Sequence, residues 1–260
     1  MFANERLDAI TKIIRKDGAV TTASLVKSFN VSIETIRRDL LQLEREGVVK
    51  RVHGGAVNAL RMKAFHSLEK RNEENEDLKR ELSQNAADFI DEKDIIAVDT
   101  GSTAIFFAEE LLKRFTKLTV ITHSLDVFNT LCNQKDFSVI LCGGYFKREE
   151  NCFHGGFVTD TLSRLHADKG FVFPSAISLK NGICDYTDDL LTIQRTLLSV
   201  SNKGFILADS SKFEKSALLK LDDMKEEYTY VTDSKLPDSI LKLYKENNIS
   251  VIAGNQNKCL

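Results

Sequence analysis

Two sets of residues in this 260-residue chain have the types and spacing to capture an anion. The first is Ser32, Thr35, Arg37 and Arg38 in SIETIRRDLLQLEREG (residues 32–47), followed at once by Lys50, Arg51 and His53 beside Gly54 and Gly55. A guanidinium presents a fork of donors that fits a phosphate or the O6 and N7 edge of guanine. The second set is spread out. It comprises Asp99, Gly101, Ser102 and Thr103 in VDTGST; Thr122, His123 and Ser124 in VITHS; Gly143 and Gly144 in LCGG; and Asp209, Ser210, Ser211 and Lys212 in LADSSK. Backbone N–H groups at a helix start, hydroxyls, a glycine pair that admits a close backbone and one lysine are the parts of a phosphate cradle. Bond-breaking chemistry is harder to find. Proton-transfer catalysis needs a carboxylate or similar base at the reacting carbon. Asp99, Asp168, Asp185, Asp188 and Asp189 have the right type, but no spacing singles one out, so no catalytic residue is assigned.

The first set needs a helix to aim it. Ser32 can cap that helix, Ile36, Leu40 and Leu43 form its apolar stripe, and Gly47 ends it. At about 100° per residue from Ile36, Leu40 and Leu43 fall within roughly 40°, Arg37 lies near 100° and Arg38 near 200°. Arg38 therefore points away from the core and Arg37 sits on its flank. Two shorter amphipathic stretches precede it, one with Leu7, Ile10, Ile13 and Ile14, the other with Leu25, Val26 and Phe29. VVKRVHGGAV, after it, alternates around a Gly-Gly turn as a β-hairpin. Three helices and a hairpin make a winged helix-turn-helix plan, whose third helix enters the major groove. The plainer alternative is that Arg37 and Arg38 pair with Glu34, Asp39 or Glu44. Such surface pairs contribute only about 0–1 kcal/mol, and the turn before and basic hairpin after favour an external anion.

The second set needs a sheet. From residue 94 the runs DIIAVD, LTVIT, FSVILC, KGFVF, KGFILA and TYVTD alternate with helical segments. Continuous apolar strands separated by helices predict a parallel sheet covered on both faces, a Rossmann-like α/β domain with its ligand site at the carboxyl ends of the strands. The expected organisation is a head over residues 1–58, a polar, partly helical linker over 59–75 and an α/β domain over 76–260.

Composition narrows the class. The net charge is -2, yet residues 1–60 carry ten Lys/Arg against seven Asp/Glu, a net of +3, leaving -5 for the rest. A basic head on an acidic body suits an anionic partner for the head. No apolar run is long enough to span a membrane, and the N-terminus lacks the pattern of a signal peptide. The five cysteines form no C-x-x-C pair and are read as reduced thiols in a cytoplasmic protein, with no metal and no cofactor.

The stretch VSIETIRRDLLQLEREGVVKRVHGGAV resembles the signature of the DeoR family of bacterial regulators, V-S-x-x-T-I-R-R-D-L-x-x-L-E-x-x-G followed by R-x-H-G-G-A. The second set resembles that family's effector domain, D-x-G-T-T, T-N-S, G-G and D-x-S-K, over roughly residues 75–235. The resemblance implies a winged helix-turn-helix joined to a sugar-phosphate-isomerase-like domain. It implies a repressor of sugar or related carbon-metabolism genes that binds operator DNA as a homo-oligomer and is released by a phosphorylated sugar. Ser32, Thr35, Arg37, Arg38, Arg51 and His53 would face DNA, with Asp39 orienting an arginine. Asp99, Gly101, Ser102, Thr103, Thr122, His123, Ser124, Gly143, Gly144 and Lys212 would hold the effector. Two departures stand out: His123 replaces the asparagine of T-N-S, and FVFPSAISLKNG replaces a glycine-rich F-x-G-x-x-G-I. Phe173, Pro174, Ser175 and Ala176 in those positions would reshape the pocket. The alternatives are an isomerase-like enzyme with an added head and a ligand-independent DNA-binding protein.

Overall fold

A computed structural model describes residues 3–17, 19–52, 54–58 and 68–254. His53, residues 59–67 of the expected linker and residues 255–260 lie outside the described residues.

The head contains helices α1 (Ala3–Asp17), α2 (Thr22–Phe29) and α3 (Ile33–Arg45) and strands β1 (Ala19–Thr21), β2 (Val49–Val52) and β3 (Gly55–Asn58). Helix α3 forms where its signals place it. Ser32 Oγ accepts the Thr35 N–H at 3.2 Å at the start. At the end, Gly47 donates to Glu44 O and Val48 to Leu43 O, the reciprocal pair of a Schellman motif. Ile36, Leu40 and Leu43 are buried against Leu7, Ile10, Ile14 and Leu25, each full burial contributing roughly 1.5–3 kcal/mol. The expected hairpin has a third strand: β1 pairs with β3, giving the antiparallel order β1-β3-β2. Ala19–Thr21 is too short a run to show a strand's alternation in the sequence.

The body is built on seven parallel strands: β4 (Ile95–Val98), β5 (Thr119–Thr122), β6 (Ser138–Leu141), β9 (Ala167–Val172), β12 (Ser201–Leu207), β14 (Tyr228–Thr232) and β15 (Val251–Ala253). Their order is β15-β14-β12-β9-β4-β5-β6, so the winding direction reverses between β4 and β9. Side chains alternate between two cores. Ile96, Val98, Val120, Phe171, Phe205, Leu207 and Val231 meet helices α5 (Glu76–Ala87), α6 (Ser102–Arg114) and α7 (Leu125–Leu131). Ala97, Ile121, Val172, Ile206 and Tyr230 meet α8 (Gly156–Leu162), α9 (Asp188–Ser199) and α10 (Asp238–Glu246). This is the doubly wound parallel sheet expected, with β15 as an added seventh strand. A hairpin, β7 (Tyr145–Lys147) and β8 (Cys152–His154), and a small antiparallel sheet of β10 (Ala176–Ser178), β11 (Gly182–Asp185) and β13 (Leu219–Asp222) flank the strand ends. Ahead of α5, α4 (Leu68–Glu73) falls in the stretch read as linker and packs against α6 with Leu68 buried. Among the described residues no helix is long and apolar enough to cross a membrane.

Candidate functional sites

In the head, the fold treats the adjacent arginines differently. Arg37 Nη1 donates to Glu34 Oε1 at 2.8 Å with side chains 60% and 69% exposed, a surface pair of about 0–1 kcal/mol that an incoming phosphate can displace. Arg38 is exposed and has no hydrogen-bond or ion-pair partner among the described residues. Ser32 and Thr35 share a hydroxyl hydrogen bond of 2.9 Å at the amino end of α3. Arg51 is held by Glu44, its backbone N–H and Nε each 2.8 Å from a carboxylate oxygen, which ties the wing to the carboxyl end of α3. Asp39 faces inward. It takes Arg6 on both oxygens, Nε to Oδ2 at 2.5 Å and Nη2 to Oδ1 at 3.0 Å, and so pins α3 to α1. Ile33, 46% exposed beside Ser32, lies on the flank of the apolar stripe when counted from Ile36. An apolar side chain there suits a thymine methyl.

In the body, a cleft of about 190 Å³ opens at the switch point between β4 and β9, with Arg71, Lys79, Ser102, Ser175, Ser211 and Lys212 on its walls. Ser102 begins α6, and Gly101 before it has φ +123°, a conformation that side chains rarely adopt. The free N–H groups of that helix end carry a partial positive charge. Three cations reinforce it, and two carboxylates, Glu74 and Asp209, border the same cleft. Arg71 Nη2 is 2.6 Å from Glu150 Oε2, and Lys212 Nζ donates to Pro174 O at 3.1 Å. The buried amine of Lys79 donates to the carbonyls of Arg71 and Glu74. Burial, together with the charges of Lys212 and Arg71, pushes the Lys79 amine down to about 8.

Behind the cleft lies a sealed network. Asp99, Thr122, His123 and Ser124 are each at most 1% exposed. His123 Nδ1 donates to Phe153 O at 2.8 Å and its Nε2 lies 3.0 Å from Asp99 Oδ1. Both ring nitrogens thus face acceptors, the environment of an imidazolium. Burial opposes that charge, but Asp99 and Cys152 outweigh it and hold His123 up at about 10. Asp99 Oδ2 accepts from the Phe173 N–H and from Gln194 Nε2 at 3.0 Å. Gln194 Nε2 also donates to Asp185 Oδ2 at 3.1 Å.

Of the ten body residues singled out in the sequence, Ser102 and Lys212 reach the cleft walls, and Gly101 borders a smaller pocket beside the cleft. Asp99, Thr103, Thr122, His123 and Ser124 are buried behind them. Gly143 and Gly144 follow β6, the outer strand of the sheet, two places from β4. A Cβ on Gly144 would stand 2.5 Å from His154 O, so this glycine serves close packing of the hairpin. Arg71 and Lys79 were not anticipated. With Asn75 they recur every fourth residue, but the expected boundary at 75/76 puts Arg71 in the partly helical linker and Lys79 in the α/β domain, so no single element joins them in the sequence. Asn75, at φ +52°, breaks the stretch into α4 and α5 while keeping all three at the cleft.

A helix-turn-helix head and a doubly wound domain with a cationic cleft define a regulator that reads nucleic acid with one part and a small ligand with the other. The chain belongs to the DeoR family. The DeoR-like helix-turn-helix domain matches residues 6–60 and the DeoR C terminal sensor domain residues 74–234. The chain is 30% identical over 249 residues to the L-fucose operon activator of Haemophilus influenzae, covering 96% of this chain and 99% of that protein. It is 35% identical over 236 residues to the lactose phosphotransferase system repressor of Staphylococcus epidermidis, covering 88% and 92%. Ribose 5-phosphate isomerase A of Methanocaldococcus jannaschii overlaps with a TM-score of 0.41 at 19% identity, over 54% of this chain and 56% of that one. Nothing about activity follows from so loose an overlap.

Proposed function

We propose that this protein is a cytoplasmic repressor of sugar or related carbon-metabolism genes, released from its operator by a phosphorylated sugar bound in the cleft of the body. The observation that carries the reading is the convergence of Arg71, Lys79 and Lys212 on Ser102 at the amino end of α6. A dianionic phosphate there meets three cations, a hydroxyl and free backbone N–H groups. Gly101, Ser102 and Lys212 touch the ligand in this reading. Thr103 supports them, and Asp99, Thr122, His123 and Ser124 hold the floor, while Gly143 and Gly144 shape the neighbouring hairpin. Ser32, Thr35, Arg37, Arg38, Arg51 and His53 face DNA, with two or more copies of the chain bound to repeated half-sites. Residues 59–75 carry the signal between the parts; a coupling of about 1–3 kcal/mol gives a useful switch.

Sensing is favoured over turnover because Asp99, which closes the strand before the phosphate loop, is sealed from the cleft and committed to His123 and Gln194. Asp185 and Glu150, both raised by burial, are the groups that a proton-transferring reading would need. The test is operator binding titrated with sugar phosphates, alongside a turnover assay. Release by a sugar phosphate that Lys212→Ala weakens supports the proposal. Insensitivity of operator binding to every phosphorylated compound, or turnover of a pentose or hexose phosphate, overturns it.

A further inference from the structure

A second, smaller pocket of about 20 Å³ lies deeper than the cationic cleft and shares Arg71 and Ser175 with it as walls. It has room for one group the size of a hydroxyl. Its chemistry is the opposite of the outer cleft's. Glu150 and Asp185, 4% and 5% exposed, stand on its wall with Gln194, 2% exposed. The orientation of the Gln194 amide is fixed by its neighbours: Nε2 faces two carboxylates, Asp99 at 3.0 Å and Asp185 at 3.1 Å, where an amide oxygen would be repelled. Its Oε1 is therefore the atom left over, and it is buried with no hydrogen-bond partner among the described residues. Two donors on the same wall are already committed, and Arg71, tied to Glu150, and Thr187 also border it. Ser175 Oγ donates to Asp185 Oδ1 at 2.8 Å and Thr100 Oγ1 to Glu150 O at 3.3 Å. The atom the inner pocket leaves buried and unpaired is an acceptor, Gln194 Oε1.

We propose that the inner pocket selects the effector by its far end, taking a monophosphate that carries a hydrogen-bond donor, hydroxyl or ammonium, and rejecting one that carries a second anion. The inference rests on the cationic cleft holding the phosphate. A donor entering from that cleft passes between Arg71 and Ser175 and satisfies Gln194 Oε1, an atom that otherwise carries the cost of a buried unpaired acceptor. A carboxylate or second phosphate meets Glu150 and Asp185 instead. Burial already raises both of those carboxyls, so the wall resists further negative charge.

The experiment is calorimetric titration of the full chain with inorganic phosphate, a hexose monophosphate, a 2-amino-hexose monophosphate, the matching phosphorylated aldonic acid and a hexose bisphosphate. At least one donor-ended monophosphate should bind about tenfold or more tighter than inorganic phosphate, and the acid and bisphosphate no tighter than inorganic phosphate. The amino and hydroxyl arms tell which donor is preferred. Gln194→Met, which keeps length but removes both the acceptor and the amide donor to Asp99 and Asp185, should shrink that advantage, measured against inorganic phosphate on the same variant, to about threefold or less. The inference is overturned if the acid or the bisphosphate binds as tightly as the best donor-ended monophosphate, or if all five bind alike. Binding by none of the five, inorganic phosphate included, refutes the phosphate cleft itself.

Discussion

Lys79 is the group through which an anion in the cleft should announce itself. Its side chain is buried, its amine faces Lys212 and Arg71, and it is held at about 8 instead of 10.5. At pH 8 half of these amines are neutral. A phosphate against the amine adds to the counter-charge of Asp209 and Glu74; if it returns the amine to its ordinary value, binding takes up about half a proton at pH 8 and about 0.9 at pH 9. Since binding consumes protons, affinity falls as pH rises, by about fivefold between pH 8 and pH 9. A sugar phosphate is fully dianionic across that window, its second pKa lying near 6, so the ligand itself contributes no proton. Calorimetric titration at both pH values, in two buffers of different ionisation enthalpy, measures the uptake directly. Lys79→Arg keeps the cation but does not titrate, and its uptake should vanish along with the pH dependence. Absence of uptake at pH 8, or undiminished uptake in Lys79→Arg, refutes the reasoning. The same shift has a cost in the empty protein. The folded amine binds its proton less tightly than the unfolded one, so the penalty, at most about 3 kcal/mol, is present in full below pH 8 and fades as pH rises to 10.5. Lys79→Met removes that penalty but also the bonds to the Arg71 and Glu74 carbonyls, and should weaken anion binding.

Asp39→Ala should destabilise the head by about 3–5 kcal/mol, because it strands the Arg6 guanidinium in a buried position; joint replacement, Arg6→Met with Asp39→Leu, should recover most of that loss in urea melts. Arg38→Ala should cost about 1–3 kcal/mol on operator DNA and less on random duplex; equal losses on both, measured by fluorescence anisotropy, would show that Arg38 holds phosphate and reads no base. Arg37→Ala, already paired with Glu34, should lower affinity on all sequences alike and reduce the salt slope by about one. Gly144→Ala drives a methyl to 2.5 Å from His154 O and 2.8 Å from Val158 Cγ2, and should cost about 1–3 kcal/mol in thermal stability without changing effector affinity.

The parts of the fold that the sequence announces are those whose periodicity outlasts local accident. DIIAVD and KGFILA are readable as buried parallel strands because apolar residues run on for a whole strand. VIA at residues 251–253 is not, since three residues carry no pattern and its pairing with β14 is decided by tertiary structure. The wing strand Ala19–Thr21 escapes for the same reason. The recognition helix is legible down to its cap and its Schellman end, because both devices are local. The fate of its charges is only half legible. Helical angles separate Arg37 from Arg38, but Asp39 finds Arg6 from 33 positions away, and no local rule names that partner. The cleft shows the limit most clearly. Gly101 and Ser102 are found from a strand-to-helix signature, while Arg71 and Lys79 enter from a polar stretch whose contacts exist only once α4 has packed on α6.

His123 explains why the cations must come from elsewhere. An asparagine at that place has its donor and acceptor on one short amide. The imidazole instead reaches Asp99 with one nitrogen and the Phe153 carbonyl with the other, bridging the sheet to β8 with two donors at opposite ends of a ring. Held positive by Asp99, it neutralises the carboxylate that stands at the end of β4, so the pair adds no net charge to the cleft floor. The floor then neither attracts nor repels an anion through that carboxylate, and selection passes to the walls. Arg71 and Lys79 supply the positive charge on one side and Lys212 on another, with Ser102 and its helix end between them. Arg71 also borders the inner pocket and is tied to Glu150 there. A phosphate that draws Arg71 outward loosens that pair, and a donor in the inner pocket gives Glu150 a replacement partner. The two halves of such a ligand therefore act on the same arginine, and that arginine sits on α4, the described helix that follows the connection from the head.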